Sequence, residues 1–317
     1  MRSSLALIAT AGIVAVALSG CASAPAPEAS SGRSSDVVEV TGDFGEAPRV
    51  EFPTPLVPAE TQCTEVIAGE GEYLEEGQYV LLGASLFSGT TGEEVEVVGY
   101  DGQPAGLTLG EGTLPAFADG LSCAREGSRV VVVAPAGELL PPSADPASAE
   151  DGDSVVAVFD VLRAFPTRAE GSVRLSRDEF PAVVLAPNGR PGITVPKTDP
   201  PEHTEVEVLK QGNGQVVEDG DTVVVHYTGV LWNDNTVFDT TWDTLEEGSR
   251  TPFGPQTFVV GEGAQVVPGF SKAIVGQEVG SQVGVIVPPS AGYGDEGNAQ
   301  VPAGSTLFFV IDILGVV

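Results

Sequence analysis

The sequence predicts an α+β protein with two tandem domains, each a bent antiparallel sheet of about five or six strands packed on one short helix. Three observations lead to this fold class. The apolar segments are short, β-branched and bounded by Gly or Pro, as strands are. Each half has only one convincing helical segment, so helical crossovers cannot join the strands, which must be antiparallel. Finally, one long block of sequence occurs twice in the chain.

The repeated block starts near Leu107 and again near Phe258. The aligned segments are 110–112 with 261–263, 115–117 with 268–270, and 154–162 with 306–314. Each unit therefore has about 110 to 120 residues, an ordinary size for a single domain. This long period indicates a tandem duplication and not a solenoid, whose repeats are much shorter.

Alignment and composition together divide the chain into five parts. Residues 22–46 are rich in Ala, Pro, Ser, Gly and Glu without periodicity, which is typical of a disordered tether. The segment between the units contains Pro181, Pro187, Pro191 and an Asn188-Gly189 turn, which indicates an extended connector packed on one unit. The predicted parts are a signal peptide (1–20), a tether (21–46), a first domain (47–165), a connector (166–196) and a second domain (197–317).

The N-terminus has the features of an export signal. Arg2 is followed by a largely apolar run over residues 5–18, too short to cross a bilayer comfortably. The run ends in Leu-Ser-Gly before Cys21, which resembles the lipobox of bacterial lipoproteins. That resemblance implies that Cys21 is lipidated and that the protein is anchored outside the cytoplasm, on the cell membrane. The alternative is a secretory signal cut at Ala22 or Ala24, which would release a soluble protein.

Composition excludes several functions. The chain has 14 Lys and Arg residues against 45 Asp and Glu, a net charge of −31, so nucleic acid is excluded and membrane contact is expected only through the lipid. The only histidines are His203 and His226, too few for a metal site with scattered acids. No Ser or Cys stands in a nucleophile motif. We therefore expect neither a metal nor a cofactor.

The remaining cysteines form an even pair. With Cys21 lipidated, Cys63 and Cys123 are left in an oxidising compartment, which predicts a disulfide between them. Such a bond would close a loop of about 60 residues and stabilise the fold by about 4 kcal/mol. The alternative is two buried, unreactive thiols.

The second unit shows the clearest secondary-structure pattern. A helix is predicted to begin at Pro268, to place Phe270, Ala273 and Ile274 on one face and to end near Gly276. The predicted strands cover residues 204–209, 222–231, 256–260, 283–287 and 306–317.

Aromatic residues stand near the ends of these elements. They are Tyr227, Phe238, Phe258, Phe270, Tyr293 and Phe309. Any one of them alone would be interpreted as a core residue. Their number and placement together favour a binding site.

Three segments of this unit resemble the FKBP-type peptidyl-prolyl isomerases over about residues 197–317. They are "VVVHYTGVL…VFDTTW", "VVGEGAQVVPGFSKAIVGQEVGSQVGVIVPPSAGYG" and "VPAGSTLFFVIDIL". The resemblance implies a half-barrel sheet around a short helix, with an apolar pocket for proline and for macrolides of the FK506 and rapamycin type. It also implies catalytic roles for Tyr227, Asp239, Phe270 and Tyr293. The substrate-binding residues that it implies are Phe238, Val266, Val267 and Phe309.

This chemistry suits the composition. An X-Pro bond rotates over a barrier of about 18 to 20 kcal/mol without any nucleophile, and a dry pocket with fixed donors favours the twisted amide. We therefore expect an isomerase that assists the folding of proline-containing exported polypeptides. The alternative is a non-catalytic chaperone or scaffold that binds proline segments. A lipid-anchored solute-binding protein is disfavoured, because the doubly wound pattern is missing.

The first unit keeps the frame of the second but not its predicted site. Ala84 stands in the register of Tyr227, Ala157 in that of Phe309 and Leu140 in that of Tyr293, and no Phe-Asp pair matches Phe238-Asp239. Phe117, which aligns with Phe270, survives. The first unit is therefore expected to be a catalytically silent FKBP-like domain.

Overall fold

The computed structural model describes residues 29–110, 113–139, 153–242 and 253–317, which form two large sheets, two separate two-stranded hairpins and short helices. The helices are α1 (Arg33–Asp36), α2 (Pro115–Leu121) and α3 (Pro268–Ile274). The strands of the first half are β1 (Glu39–Thr41), β2 (Arg49–Glu51), β3 (Gln62–Ile67), β4 (Tyr79–Ser88), β5 (Glu94–Val98), β6 (Ala105–Thr108), β7 (Arg129–Pro135) and β8 (Ser154–Ala164). Those of the second half are β9 (Ser172–Val173), β10 (Ala182–Leu185), β11 (Pro191–Thr194), β12 (Glu205–Gln211), β13 (Thr222–Leu231), β14 (Val237–Thr240), β15 (Gln256–Val259), β16 (Gln282–Val287) and β17 (Leu307–Val316).

The two sheets have the same strand order. The first runs β3-β7-β8-β4-β5 with β6 paired to β4, and the second runs β9-β12-β16-β17-β13-β14 with β15 paired to β13. The prediction of a sheet-rich protein with few helices is confirmed. The first sheet has six strands and the second has seven, where five or six were expected for each domain. The additional strand is β9, which the connector contributes.

Predicted and observed elements of the second unit agree to within two residues at their ends. The sequence missed β14, a strand of only four residues that pairs with β13. A segment this short shows too little alternation to be separated from a turn. None of the helices in the described ranges is long and apolar enough to cross a membrane.

Irregularities in the strands repeat as well. The β4–β8 pairing shifts between Leu81 and Leu82, and the β13–β17 pairing shifts at the aligned Val224 and Val225. A second pair of shifts, in the pairings of β4 with β5 and β13 with β14, also falls at aligned positions. Bulges increase the local twist and bend of a strand. Both sheets are therefore bent at the same places.

Each sheet packs one face on its short helix. Pro268 occupies the first turn of α3, where a missing N–H costs nothing, and Phe270 and Ile274 of α3 are buried. Gly269 allows close approach, because a Cβ there would lie 2.6 Å from Cγ1 of Val287. The same arrangement places α2 against the first sheet, with Leu121 buried.

The opposite face of each sheet is covered by the segment that precedes the sheet in the chain. Val38, Val40 and Val50, in or beside the β1–β2 hairpin, pack against buried residues of β7 and β8. On the second sheet, Val183 and Ile193 of the β10–β11 hairpin pack against residues of β13, β16 and β17. We call these two preceding segments, residues 29–61 and 166–204, the first and second arms.

The arms correct the predicted domain boundaries. The prediction of a disordered tether is wrong for residues 29–46, since Ala29, Ser35 and Val38 are buried in the first unit. The remainder of the predicted tether, including Cys21, lies outside the described residues. The predicted connector packs on the second sheet and supplies β9 to it. The polar composition of the first arm led to the prediction of disorder, although a few apolar residues such as Ala29 and Val38 pack it on the first unit. The expected packing of the connector on one unit agrees with the structure.

A buried ion pair fastens the first arm. Arg129, 1% exposed, donates from Nε to Oδ1 of Asp160 at 2.5 Å and from Nη2 to Oδ2 at 2.7 Å. The same guanidinium donates to three carbonyl oxygens of the arm, those of Gly42, Asp43 and Glu46. Gly45 N–H in turn donates to Oδ2 of Asp160 at 2.7 Å. The side chains of β7 and β8 thus hold the loop between β1 and β2.

The second arm is fastened through the aligned carboxylate. Ala169 N–H donates to Oδ2 of Asp312 at 2.8 Å, and Gln282 Nε2 donates to Oδ1 at 2.6 Å. Gln282 occupies the position that Arg129 has in the first sheet. Burial raises the pKa of Asp312 to about 6, although hydrogen bonds from Ala169 and Gln282 and the positive charges of Lys210 and Arg168 oppose that rise.

Little free chain separates the units. Phe165 directly follows β8 and is buried with Leu81, Val224 and Leu314. Its ring fills the space above Gly315, where a Cβ would lie 2.3 Å from Cδ1 of Phe165. The second arm then starts at residue 166.

A disulfide joins Cys63 of β3 to Cys123, which follows α2, with a Cα–Cα distance of 6.4 Å. It ties the edge strand of the first sheet to the helix that covers its front face. The disulfide thereby holds the end of α2 on the first sheet, whereas the second unit contains no cysteine.

Replacing Arg129 by Met is expected to lower the free energy of unfolding of the first unit by about 3 to 5 kcal/mol, because the Asp160 carboxylate would remain buried without a counter-charge. Chemical denaturation measures this loss. The matched control is Arg177→Met, which removes an exposed ion pair with Glu205 and should cost less than about 1 kcal/mol. Equal losses in the two variants would contradict the prediction.

Replacing Asp312 by Asn is expected to change how stability depends on pH. The pKa of Asp312 is about 6 in the folded protein and 3.8 ordinarily, so the folded state binds this proton more tightly than the unfolded state does. The parent protein should therefore gain about 2 kcal/mol of stability relative to the variant between pH ~7 and pH ~4.5. Other groups titrate in both proteins and cancel. Denaturation across this pH range tests the prediction, and a constant difference would contradict it.

Candidate functional site

An aromatic cluster lies on the front face of the second sheet, beside α3. Five elements supply its rings, which belong to Tyr227 (β13), Phe238 (β14), Phe258 (β15), Phe270 (α3) and Phe309 (β17). Alternation along each strand explains the arrangement, because every second side chain points to the helix side. The structure thus brings together aromatic residues that the sequence spreads over about 80 positions.

The rings pack edge to face. The Phe270 centroid lies 5.3 Å from that of Phe309 and 5.5 Å from that of Tyr227, with interplanar angles of 86° and 83°. Phe238 contacts Phe309 in the same way at 5.5 Å, and Phe258 lies 6.1 Å from Phe270. This geometry matches the preferred packing of aromatic quadrupoles. The side chains are therefore locked as one unit.

Exposure differs across the cluster. Phe270, Phe309 and Tyr227 are buried, at 3%, 3% and 6% exposure, whereas Phe238 and Tyr293 are half-buried. Val266 and Val267 pack against the same cluster and are also half-buried. The buried rings form an apolar floor, and the half-buried residues form walls that reach the surface.

One carboxylate borders this apolar surface. Asp239 follows Phe238 on β14, and its Oδ2 accepts a hydrogen bond of 2.7 Å from the hydroxyl of Tyr227. Burial raises the pKa of Tyr293, and the negative charge of Asp239 raises it further, while the Asn298 side chain lowers it. Tyr293 therefore stays protonated at neutral pH and has a hydroxyl hydrogen to donate.

The backbone at the start of α3 supplies a second donor. Val267 is the N-cap residue in an extended conformation, and its carbonyl accepts hydrogen bonds from the amides of Phe270 and Ser271. Its own N–H donates to no acceptor within the described part of the chain. Because Val267 also packs on the aromatic cluster, this amide is placed next to the apolar floor.

All eight residues predicted for the site are thus found around one cluster. Sequence reasoning missed Gly229, which lies opposite Phe309 in the β13–β17 pair. A Cβ at Gly229 would lie 2.7 Å from both Cζ of Phe238 and Cε1 of Phe309. A glycine inside a strand pattern is the signal that indicates such close approach.

The neighbouring histidine faces away from the site. Alternation on β13 puts His226 on the opposite face from Tyr227, where its ring stacks on Trp242 at 4.0 Å. Its Nδ1 lies 2.7 Å from Oγ1 of Thr241, and burial lowers its pKa to about 3. His226 is therefore neutral at physiological pH. No cluster of three or more His, Cys, Asp or Glu residues suited to a metal occurs in the described ranges.

The first sheet fills the same region differently. Leu86 and Ala157 face each other where the second sheet has Gly229 and Phe309, so the large and small partners are exchanged. Ala84 replaces Tyr227 in β4, as the alignment predicted. Phe117 packs edge to face on Phe159 at 5.3 Å.

Strand pairing also identifies the counterpart of the Phe-Asp pair, which the sequence did not reveal. Val95-Glu96 of β5 occupies the register of Phe238-Asp239, and both residues are exposed. The predicted counterpart of Tyr293, Leu140, lies outside the described residues.

The second unit is similar to proteins of one known family. A family model for FKBP-type peptidyl-prolyl cis-trans isomerases matches residues 214–314. An FK506-binding protein of Streptomyces anulatus is 33% identical over 129 residues, 40% of this chain and 97% of that protein. A probable FK506-binding protein of Corynebacterium glutamicum is 30% identical, over 39% of this chain and 97% of that protein. The crystal structure of FkpA from Escherichia coli is 27% identical, covering 42% of this chain and 51% of that one with a TM-score of 0.30.

Replacing Gly229 by Ala is expected to displace the Phe238 and Phe309 rings, because the new methyl group would occupy their space. Overpacking of this kind costs about 1 to 3 kcal/mol. Chemical denaturation and near-ultraviolet circular dichroism measure the two effects. Gly137→Ala is the control, since a Cβ there meets nothing within 4 Å. An unchanged aromatic spectrum in Gly229→Ala would contradict the prediction.

Proposed function

This chain belongs to the FKBP-type peptidyl-prolyl cis-trans isomerases, and we propose that its second unit isomerises X-Pro bonds in exported polypeptides at the outer side of the cytoplasmic membrane. The observation that carries the proposal is the apolar floor of Phe270 and Phe309 beside the Tyr227–Asp239 hydrogen bond. This arrangement combines a surface for a pyrrolidine ring with polar groups at its border.

Rotation about the X-Pro bond requires loss of amide resonance, with a barrier of about 18 to 20 kcal/mol. No bond to the enzyme is needed. A site that excludes water destabilises the polar planar amide relative to the twisted one, and fixed dipoles stabilise the rotated geometry. The cluster has both properties, because its floor is buried and its polar groups stand at the rim.

The roles of the residues follow from their positions. Phe270 at the centre of the cluster lies beneath the proline ring, while Phe238, Val266 and Phe309 surround it. The N–H of Val267, which has no acceptor among the described residues, donates to a substrate carbonyl and fixes the peptide across the start of α3.

The polar residues act on the amide itself. Tyr293, whose pKa is raised by burial and by Asp239, donates its hydroxyl hydrogen to the substrate. Asp239, oriented by the Tyr227 hydroxyl, supplies negative charge next to the rotating amide.

The polar groups favour catalysis over simple holding of proline segments. An apolar cleft alone suffices for binding, whereas Tyr227, Asp239 and Tyr293 place charge and hydrogen-bond donors at the rim. The first unit has the same strand order with Ala84 for Tyr227 and Leu86 for Gly229. We assign it as a catalytically silent FKBP-like domain of a tandem pair.

The proposed location depends on Cys21 and on the disulfide. The apolar leader before Cys21 supports a lipid anchor, and a bonded Cys63–Cys123 pair is typical of proteins outside the cytoplasm. Proline-containing exported polypeptides are therefore the substrates. Macrolides such as FK506 are expected to compete for the same floor, since two relatives are named as FK506-binding proteins.

Asp239→Ala and Phe270→Ala are each expected to lower kcat/KM for a prolyl peptide by at least about tenfold, because one loses charge stabilisation and the other the floor. A coupled proline-isomerisation assay on the full chain measures the effect. The matched control is Phe117→Ala, the aligned substitution in the first unit, which should leave kcat/KM within about twofold. Full activity in both site variants would remove the proposed mechanism. A parent protein that binds prolyl peptides without turnover would favour the chaperone alternative.

Replacing Cys21 by Ser is expected to move the protein from the membrane to the soluble fraction, because acyl chains supply the anchoring energy, about 0.8 kcal/mol per buried CH₂. Detergent phase partitioning of producing cells measures the distribution. A parent protein found only in the soluble fraction would instead support a secretory signal cut at Ala22 or Ala24.

A further inference from the structure

The first unit touches the second at β15, the strand that carries Phe258 of the aromatic cluster. Tyr79 and Thr108 face each other across β4 and β6 at the end of the first sheet. Thr257 and Val224 face each other across β15 and β13 in the second sheet. Tyr79 packs with Val224 and lies beside Thr257, so these strands form a contact surface between the units.

Tyr79 forms the polar part of this contact. Its hydroxyl lies beside the side chain of Thr257, and burial raises the pKa of Tyr79 while the interaction with Thr257 lowers it. The Tyr79 ring lies 5.8 Å from that of Phe165, which is buried with Val224 and Leu314. Tyr79 thus has an apolar ring at the unit interface and a hydroxyl on β15.

Thr108 contacts the residue from which the chain enters β15. A Cβ at Gly254 would lie 2.3 Å from Cγ2 of Thr108, so the backbone of one unit lies directly against the other. Gly254 has φ of 97°, a conformation suited to glycine, and its N–H donates to the Thr241 carbonyl at 2.9 Å. Gln256 Nε2 donates to the Gly254 carbonyl at 3.0 Å.

β15 links this contact to the aromatic cluster. Thr257 and Phe258 are neighbours, so their side chains point to opposite faces of the strand. Thr257 meets Tyr79 on the outer face, while Phe258 lies 6.1 Å from both Tyr227 and Phe270 on the inner face. Any displacement of Thr257 therefore moves Phe258.

This strand has few other supports. β15 is four residues long, all half-buried, and pairs with β13 alone among the described strands. Short strands with one neighbour open at low free-energy cost. A contact from outside the sheet has correspondingly more influence on it.

Further contacts hold the first unit against the second beside β15. Phe165 fills the space above Gly315, and Arg163 Nη1 donates to the Val316 carbonyl. The second arm starts directly afterwards and is fastened at Ala169 to Asp312. The contact between the units is therefore a fixed part of the fold.

We propose that the first unit buttresses the site of the second, and that Tyr79 and Thr108 are positioning residues that hold β15 so that Phe258 forms a wall for the bound proline. This inference rests on the proposed isomerase function. The catalytically silent first unit then has a structural role, which requires no catalytic groups.

Full-length Tyr79→Ala and Tyr79→Phe test the proposal. Because Phe258 contacts bound and rotating proline alike, Tyr79→Ala should weaken binding of a prolyl peptide about three- to tenfold and change kcat less than about twofold. Tyr79→Phe keeps the ring and should lose only about twofold. Tyr73→Ala is the matched control, because Tyr73 belongs to the same unit but packs on Arg125.

Backbone amide chemical shifts of Phe258 and Val259 give a readout that does not depend on turnover. We expect them to move in both Tyr79 variants and to stay in place in Tyr73→Ala. A double-mutant cycle of Tyr79→Phe with Thr257→Val should show that the two effects on peptide affinity do not add.

The possible outcomes test the buttressing role separately from the proposed isomerase function. Unchanged peptide affinity and unchanged β15 shifts in a folded Tyr79→Ala protein overturn the buttress. A parent protein without binding or turnover removes the isomerase function, and the amide shifts alone then decide whether the first unit holds β15. Equal losses in Tyr79→Ala and Tyr73→Ala would show general destabilisation and overturn the positioning role.

Discussion

Both faces of each sheet are apolar, and this constraint requires two separate coverings. All ten residues of β17 are buried, which is possible only where a strand is covered on both sides. Helix α3 covers the front, and the β10–β11 hairpin of the second arm covers the back. The first sheet repeats this arrangement with α2 and the first arm. The arms are therefore integral to the two units, although their sequences suggest linkers.

Two aligned aspartates, Asp160 and Asp312, each accept a hydrogen bond from one arm, but their neighbours differ. Asp160 is balanced by the charge of Arg129, whereas Asp312 meets the neutral amide of Gln282. The pKa of Asp312 rises to about 6 because burial of its charge is compensated only in part. In both sheets the carboxylate accepts a hydrogen bond from the arm, whereas the charge of its neighbour on the adjacent strand differs. Hydrogen bonds to the arm backbone need an acceptor at this position, but they do not require an ion pair.

The front faces diverge through exchange of large and small side chains. Gly229 opposite Phe309 leaves room for aromatic walls, while Leu86 opposite Ala157 places the bulk on the other strand. Such swaps preserve the packed volume and are tolerated by the same backbone. The sequence indicated the site because Tyr227, Asp239 and Phe270 occur in recognisable segments. Gly229 was missed, since its role depends on a ring supplied by a strand about 80 residues away.

The sequence by itself determined the sheet-rich class, the repeated segments, the helix at Pro268 and the aromatic residues that the structure gathers in one cluster. These follow from local periodicity and from repeated segments, which are properties of neighbouring residues. Only the tertiary structure decided that the first arm belongs to its unit, that the second arm covers the back of the second sheet, that β14 and β9 are strands, and that Tyr79 lies beside β15. These features depend on which surfaces come into contact in the folded chain, and the energy of such contacts cannot be predicted from local sequence patterns.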